Sequence, residues 1–385
     1  VYLKKGEEKR VKQGHSWVYA NEVARIEGKD KNGSLASVYS SDGKFIGKGY
    51  INHLSKILVR IFIRDEYQSD DKDFYLNRII DANQTRVNLG YDNCYRMVFA
   101  EADGLPALIV DKYDDILVCQ FLSLGINMRK DLIVECLVEL FAPRGIYERS
   151  DVAVRKKEGL EEQTGVLYGE VPDRVIIVEN GIKMAVDVKC GQKTGYFLDQ
   201  KENRYAARHY AKDKTVLDCF CNSGGFSLNC ATVAKEVTAV DISQSALDSV
   251  NENASLNGFA NVHTVCDDVF EALRKYKTEN RKFGLVILDP PAFCKSASEV
   301  KDAIRGYKDI NILGLKLVEK GGYLISSSCS HYMTFPLFEK MLVEAAKESG
   351  RIVRTMEIKS QAPDHPSLLC AEETQYLKFF VLQVI

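Results

Sequence analysis

From about residue 185 onward, short apolar runs alternate with stretches of helical length, and this alternation constrains the chain more than any other feature. The runs Thr215 to Phe220, Glu236 to Asp241, Val262 to Val265, Leu285 to Asp289 and Tyr323 to Ser327 lack a clean in/out alternation, as expected of strands covered on both faces. Between them lie helical patterns near 225 to 234, 245 to 257, 299 to 319 and 335 to 349. Such an order specifies an α/β fold with a doubly wound, mostly parallel, Rossmann-like sheet. Two last strand candidates, Ile352 to Ile358 and Tyr376 to Val384, enclose the loop Ala362-Pro-Asp-His-Pro and close the sheet as a hairpin.

In a sheet of this kind, ligands bind outside the carboxyl ends of the strands. Asp218, Asp241, Asp268 and Asp289 stand at four such ends in chain order. The first strand leads through Cys-Phe-Cys-Asn-Ser into Gly224-Gly225 and a helix, but G-x-G-x-x-G is absent, which disfavours a pyrophosphate-bearing cofactor. A cofactor with a carboxylate, a cationic amine and a ribose fits better. S-adenosylmethionine has these groups, and S-adenosylhomocysteine would be its product. Asp218 is expected to serve the amine, Asp241, 23 residues on, the two ribose hydroxyls, and Asp268 the adenine amino group. Phe220, Asn222, Ser223, Gly224, Gly225, Ile242, Ser243, Val269 and Pro290 complete these strand ends. Upstream, Gln192 to Tyr196 reads as a loop over the cofactor, and Tyr196, Asp199 and Arg204 join the set. Asp199 and Glu202 also have the spacing of a capping box.

Two segments carry the chemistry. Ser326-Ser-Ser-Cys329-Ser ends one strand, and Asp289-Pro290-Pro291 ends its expected neighbour. Cytosine C5 is a poor nucleophile until a thiolate adds at C6; C5 then takes the methyl group, and loss of the C5 proton lets the thiol leave. Cys329 is the candidate nucleophile, Asp289 the acid at N3, and Pro291 and Phe293 the residues beside the base. Cys294 is a rival in a loop. An exocyclic N-methyltransferase would use Asp-Pro-Pro without any Cys, and an inactive RNA-binding assembly factor would use neither.

Residues 1–70 show β-like runs at Leu35 to Tyr39, Phe45 to Ile51 and Ile57 to Ile63, separated by Gly and Asp-Gly turns, which predicts a small β-barrel. Lys and Arg outnumber Asp and Glu 13 to 6 over residues 1–64, within a chain of net charge -2. A basic head on an acidic protein suits a polyanionic partner such as RNA, with Trp17, the single Trp, as a stacking candidate. Residues 71–184 read as an α+β domain ending in a hairpin about Asn180-Gly181, with Arg155 in a basic segment. Residues 185–385 form the third domain.

Eleven Cys without framework spacing indicate free thiols, and Cys219-x-Cys221 lacks further ligands at zinc spacing, so no metal is expected. With no apolar signal core and no membrane segment, a cytoplasmic location is expected. A homodimer is left open.

The segments Gly14-His-Ser-Trp, Glu101-Ala-Asp-Gly-Leu-Pro, Arg149-Ser-Asp-Val-Ala-Val-Arg-Lys-Lys-Glu-Gly, Lys193-Thr-Gly-Tyr-Phe-Leu-Asp-Gln, Asp289-Pro-Pro, Gly306-Tyr-Lys-Asp-Ile-Asn and Ser328-Cys-Ser resemble the RlmI-like bacterial 23S rRNA cytosine-5 methyltransferases. The resemblance spans essentially the whole chain. It implies a PUA-like RNA-binding domain, a central α+β domain and a class I methyltransferase domain, with Cys329 as nucleophile and 5-methylcytosine in large-subunit ribosomal RNA as product. Other RNA cytosine-5 methyltransferases carry a second Cys in a Pro-Cys segment, whereas here Ala292 follows Pro291. Asp364-His365-Pro366 and Tyr307-Lys308 match family segments without an assigned role.

Overall fold

The computed structural model describes every residue except Lys295. Its contacts divide the chain into two compact units, one of residues 1–177, 186–198 and 363–374, the other of 178–185, 199–362 and 375–385.

The second unit is built on a seven-stranded sheet. Its strands are β1 (Thr215–Cys219), β2 (Glu236–Asp241), β3 (Val262–Cys266), β4 (Phe283–Leu288), β5 (Val318–Ser328), β6 (Val353–Lys359) and β7 (Lys378–Val384). They lie in the order β3-β2-β1-β4-β5-β7-β6; β1 to β5 are parallel, and β7 runs antiparallel to both β5 and β6. The helices are α1 (Lys201–Ala211), α2 (Gly225–Ala231), α3 (Gln244–Leu256), α4 (Val269–Thr278), α5 (Val300–Leu317) and α6 (Phe335–Ser349).

The inner strands β1, β4 and β5 are mostly buried because both faces are covered, whereas β3, at the sheet edge, reads Val-His-Thr-Val-Cys and is nowhere fully buried, contrary to the expectation of a buried strand. Leu217, Val286 and Leu324 pack with Leu273, Tyr307, Ile310 and Phe338 of α4, α5 and α6, while Val216, Leu285, Ile287 and Ile325 pack with Ala207 of α1 and Phe226 and Cys230 of α2. Strand order reverses between β1 and β4, which opens a crevice at their carboxyl ends. The expected strands agree within about two residues except that β5 begins at Val318, five residues before Tyr323. Helix α4 was not foreseen. Val269, Ala272, Leu273 and Tyr276 nevertheless give it a buried stripe at i, i+3, i+4 and i+7.

In the first unit, residues 1–64 form a six-stranded sheet around Leu3, Val11, Val18, Val38, Ile51 and Ile61. The α+β region follows, a five-stranded sheet with helices at Lys72–Asn88 and Lys130–Phe141. Tyr50, Phe62 and Ile63 of the first sheet share a core with Phe74, Tyr75, Leu108 and Phe121 of the second. That common core is why the two regions count as one unit. Asn180 and Gly181 both have positive φ, at 54° and 78°, as a tight hairpin turn requires. Among the described residues no helix is long and apolar enough to cross a membrane.

Candidate active site

The carboxyl ends of β1 and β2 form a polar crevice. Asp218 is fully buried; its Oδ2 accepts from Ser227 Oγ at 2.6 Å, and its Oδ1 has no hydrogen-bond partner among the described residues. Burial pushes its carboxyl up to about 7, against the Ser227 hydrogen bond and with help from the charges of Asp289 and Asp241. A buried acceptor of this kind is incomplete without a donor, and a cationic amine is the donor that would ionise it. Asp241 is held differently. Its Oδ2 accepts from the amide of Asn222 at 2.9 Å and its Oδ1 from the amide of Ser243 at 3.0 Å, which fixes the carboxylate plane and leaves a further lone pair on each oxygen for a diol.

Between these acids the backbone is forced into unusual conformations. Phe220 and Asn222 have positive φ, 63° and 49°, and Gly224 follows at 86°. A Cβ at Gly224 would also come within 3.1 Å of Val250, so glycine is required there on two grounds. Strain of this sort concentrates at binding sites. Beside Asp241, Ile242 is 70% exposed, an apolar surface suited to the face of an adenine ring. Asp268 caps α4 through Oδ1, which accepts from the amides of Phe270 and Glu271 at 2.8 and 3.2 Å, and Val269 is buried behind it. The residues present thus fit S-adenosylmethionine, with a buried carboxylate oxygen short of a donor at Asp218 and an oriented carboxylate at Asp241.

The adjacent ends of β4 and β5 bring the chemistry together. Leu288 pairs with Ser326, so Asp289 emerges beside Ser327 and two residues short of Cys329. Ser327 Oγ donates to Asp289 Oδ1 at 2.5 Å, and Gln200 Nε2 donates to the same oxygen at 3.0 Å. Gln200 is itself oriented by Asn203 Nδ2 at 2.6 Å, so the start of α1 helps to aim this carboxylate. From Ser326 to Ser330 every residue is buried except Cys329, which is partly exposed. The flanking serines are tied to α5: Ser328 Oγ donates to the Tyr307 hydroxyl at 2.9 Å, and the same hydroxyl bonds Ser330 Oγ at 3.0 Å. Burial raises the Tyr307 hydroxyl, which is therefore a neutral clamp.

Other thiols are poorly placed. Burial drives Cys219, Cys221 and Cys230 well above the ordinary thiol range. Cys294 is buried, and its Sγ donates to the carbonyl of Ser296 at 3.0 Å. Pro290 is buried and Pro291 exposed, while Phe293 packs on Tyr307 with ring centroids 4.6 Å apart. A Cβ at Gly306 would stand 3.3 Å from the Phe293 ring, so the Gly306-Tyr307 pair serves as a seat and a clamp for the pocket wall.

Several expected site residues do other work. Arg204 is buried in a two-bond pair with Glu179, both bonds 2.6 Å. Asp199 does not cap α1: a 3-10 turn over Leu198–Gln200 moves the cap position to Gln200, and Asp199 Oδ2 accepts from Tyr376 Oη at 2.7 Å. The segment bearing Tyr196 belongs to the first unit, where Thr194 Oγ1 donates to Asp111 Oδ2 at 2.6 Å and Tyr113 Oη to Tyr196 O at 3.3 Å.

Trp17 and Arg155 also lie in the first unit. Trp17 Nε1 donates to Glu101 at 2.7 Å, and Arg60 joins Glu101 to Glu158, which accepts in turn from Asn52 and Ser55. This network stitches the first sheet to the α+β region. Arg155 is buried on the carbonyls of Phe121 and Glu161 and the side chain of Asn127, so its guanidinium does not face a nucleic acid. Lys308 pairs with Glu348 on the surface at 2.9 Å. His365 pairs with Asp364, which accepts from the amide of Arg96 at 2.9 Å.

Sequence reasoning missed Gln200, Ser327 and the clamp function of Tyr307. Buried serines ending an apolar strand were the available signal, since each buried hydroxyl demands a partner.

Comparison with known proteins gives two family matches: residues 1–64 match a PUA-like domain, and residues 150–379 an S-adenosylmethionine-dependent methyltransferase. Ribosomal RNA large subunit methyltransferase I of Aeromonas hydrophila is 43% identical over 100% of this chain and 98% of its own length. The protein of the same name from Aliivibrio fischeri is 42% identical, covering 100% and 99%. A solved SAM-dependent methyltransferase structure from Streptococcus mutans superposes over 100% of this chain and 99% of its own, with a TM-score of 0.85 and 22% identity. A methyltransferase complexed with SAH gives the same values and supports the fold.

Proposed function

Because this chain belongs to the family of S-adenosylmethionine-dependent methyltransferases with an N-terminal PUA-like domain, we propose that it forms 5-methylcytosine in 23S ribosomal RNA, with Cys329 as covalent nucleophile. That it is an S-adenosylmethionine-dependent ribosomal RNA methyltransferase follows from its full-length similarity to large subunit methyltransferase I proteins. The cytosine-C5 chemistry is the step beyond that.

The observation that carries it is the exposure of Cys329 in an otherwise buried, clamped segment beside a fixed carboxylate. Bound at Asp218 and Asp241, S-adenosylmethionine supplies an electrophilic methyl group. The Cys329 thiolate adds to C6 of the cytosine, and Asp289, aimed by Ser327 and Gln200, acts in its protonated form, donating to N3 as negative charge develops there. Tyr307 holds the Cys329 backbone from both sides, so the thiolate meets the base in one geometry. Ala292 stands where other RNA cytosine-5 methyltransferases have a second Cys, so the C5 proton must pass to a base other than a second thiol before the Cys329 sulfur leaves C6.

In this division of labour, residues 1–70 bind RNA, residues 71–184 connect, and residues 185–385 catalyse. The test is Cys329→Ser, assayed by mass mapping of ribosomal RNA methylated in vitro. Loss of 5-methylcytosine with S-adenosylhomocysteine binding retained supports the reading. Retained turnover sinks the covalent mechanism in favour of N-methylation.

A further inference from the structure

Lys378 interrupts an otherwise apolar strand. In Leu377-Lys-Phe-Phe-Val-Leu the neighbours are core residues, and Lys378 itself is 2% exposed. A buried ammonium is costly unless its protons are accepted, and the structure accounts for two of the three: Nζ donates to Ser330 O and to Tyr376 O, each at 2.6 Å. Ser330 is the residue after Cys329. In the antiparallel pairing of β5 with β7, Lys378 stands directly opposite Ser328, the residue before it.

We propose that Lys378 is a positioning residue for Cys329, fixing the carbonyl that follows the nucleophile and supplying the positive charge against which its thiol ionises. This rests on the reading of Cys329 as nucleophile. A thiolate is needed, and Asp289 at the end of the neighbouring strand, when ionised, opposes a second negative charge. Other described groups that flank the segment are engaged elsewhere or neutral. Tyr307 from α5 is a neutral clamp, Cys294 from the β4–α5 loop donates its thiol to Ser296, and Tyr376 donates its hydroxyl to Asp199. His331, in the turn after Cys329, stacks edge-on against Tyr332.

The field also acts in reverse. Burial lowers the Lys378 ammonium to about 8, and Cys329 is the group that opposes this shift. The cation and the thiol therefore stabilise one another's charged forms.

The experiment is peptide-resolved alkylation of the full-length protein as a function of pH. In Lys378→Met, the midpoint of Cys329 alkylation by iodoacetamide should rise by about one pH unit, cutting its rate at pH 7 about tenfold. S-adenosylhomocysteine binding should be unchanged, as a check on folding. A second measurement needs no variant. In the wild-type protein, anionic iodoacetate should outrun neutral iodoacetamide at Cys329 severalfold more than at the exposed Cys190 and Cys266. An unshifted midpoint in Lys378→Met, or an equal reagent preference at all three thiols, overturns the assignment. Neither readout depends on turnover, so failure here leaves the covalent reading standing, and failure of Cys329→Ser leaves these results standing.

Discussion

Ser327 and Asp289 are joined by a 2.5 Å hydrogen bond across the ends of two parallel strands, and Gln200 completes the hold on the same carboxylate oxygen. Positioning is what this bond provides. Ser327→Ala should lower kcat by about tenfold while leaving KM for RNA nearly unchanged, because the Gln200 contact remains and the base still binds. Asp289→Asn should cost far more, on the order of a thousandfold, since the group at N3 is altered. Steady-state methylation of an rRNA fragment reads both values. A Ser327→Ala enzyme with wild-type kcat would contradict the positioning role.

Tyr307 holds Ser328 and Ser330 with one hydroxyl. Tyr307→Phe leaves those two buried serines short of a partner and should destabilise the second unit by about 1–3 kcal/mol. Turnover should fall further than this loss of stability accounts for, because Cys329 lies between the released residues. Denaturant melts and single-turnover assays at a temperature where both proteins are folded separate the two effects.

Asp218 gives an unusual pH signature. Its carboxyl is raised from the ordinary 3.8 to about 7, so between those values the native state keeps a proton that the unfolded chain has lost. Stability therefore falls as pH rises through that window, and the full penalty, a few kcal/mol at order of magnitude, is present above pH 7. Asp218→Asn should melt progressively higher than wild type as pH rises from 4 to 7, with the gap constant beyond, and should lose S-adenosylhomocysteine affinity at every pH. A pH-independent gap in melting temperature would refute this.

Asp364 carries the opposite sign. Burial alone would raise its carboxyl, but the charge and hydrogen bond of His365, with the amide and charge of Arg96, hold it below the usual value. Its contribution is complete above the unfolded value of 3.8 and is lost as pH falls through the lower folded value. Asp364→Asn should thus lower the melting temperature at pH 7, with the difference shrinking below about pH 4. Thermal melts across that range decide it.

How much of this was legible in the chain depended on the range of the interaction. Strands β1 to β5 and the acids at their ends declared themselves because a buried parallel strand and its terminus leave a local pattern. The Asn180-Gly181 turn did so because two consecutive positive φ values restrict residue choice. Contacts across long separations left no such trace. Gln200 meets Asp289 at a distance of 89 residues in sequence, and Trp17 meets Glu101 at 84. Nothing local tells an indole that binds a carboxylate from one that stacks on RNA. Arg155 misled for the same reason: a basic residue in a basic segment looks outward until its carbonyl partners are known.

The loop between β6 and β7 sets an order of assembly. Residues 363–374 complete the first unit, and Asp364 O there accepts from Arg86, 278 positions earlier in the chain. The half of the protein that leaves the ribosome first therefore also receives its last piece late in synthesis. At about 5–20 residues per second, translation from residue 177 to 374 occupies roughly 10 to 40 s. During that interval Arg86 lacks its Asp364 partner, although the apolar core of the α+β region is complete without residues 363–374. A chain cut short before residue 363 therefore lacks the Arg86–Asp364 bonds of the first unit as well as strand β7 of the second.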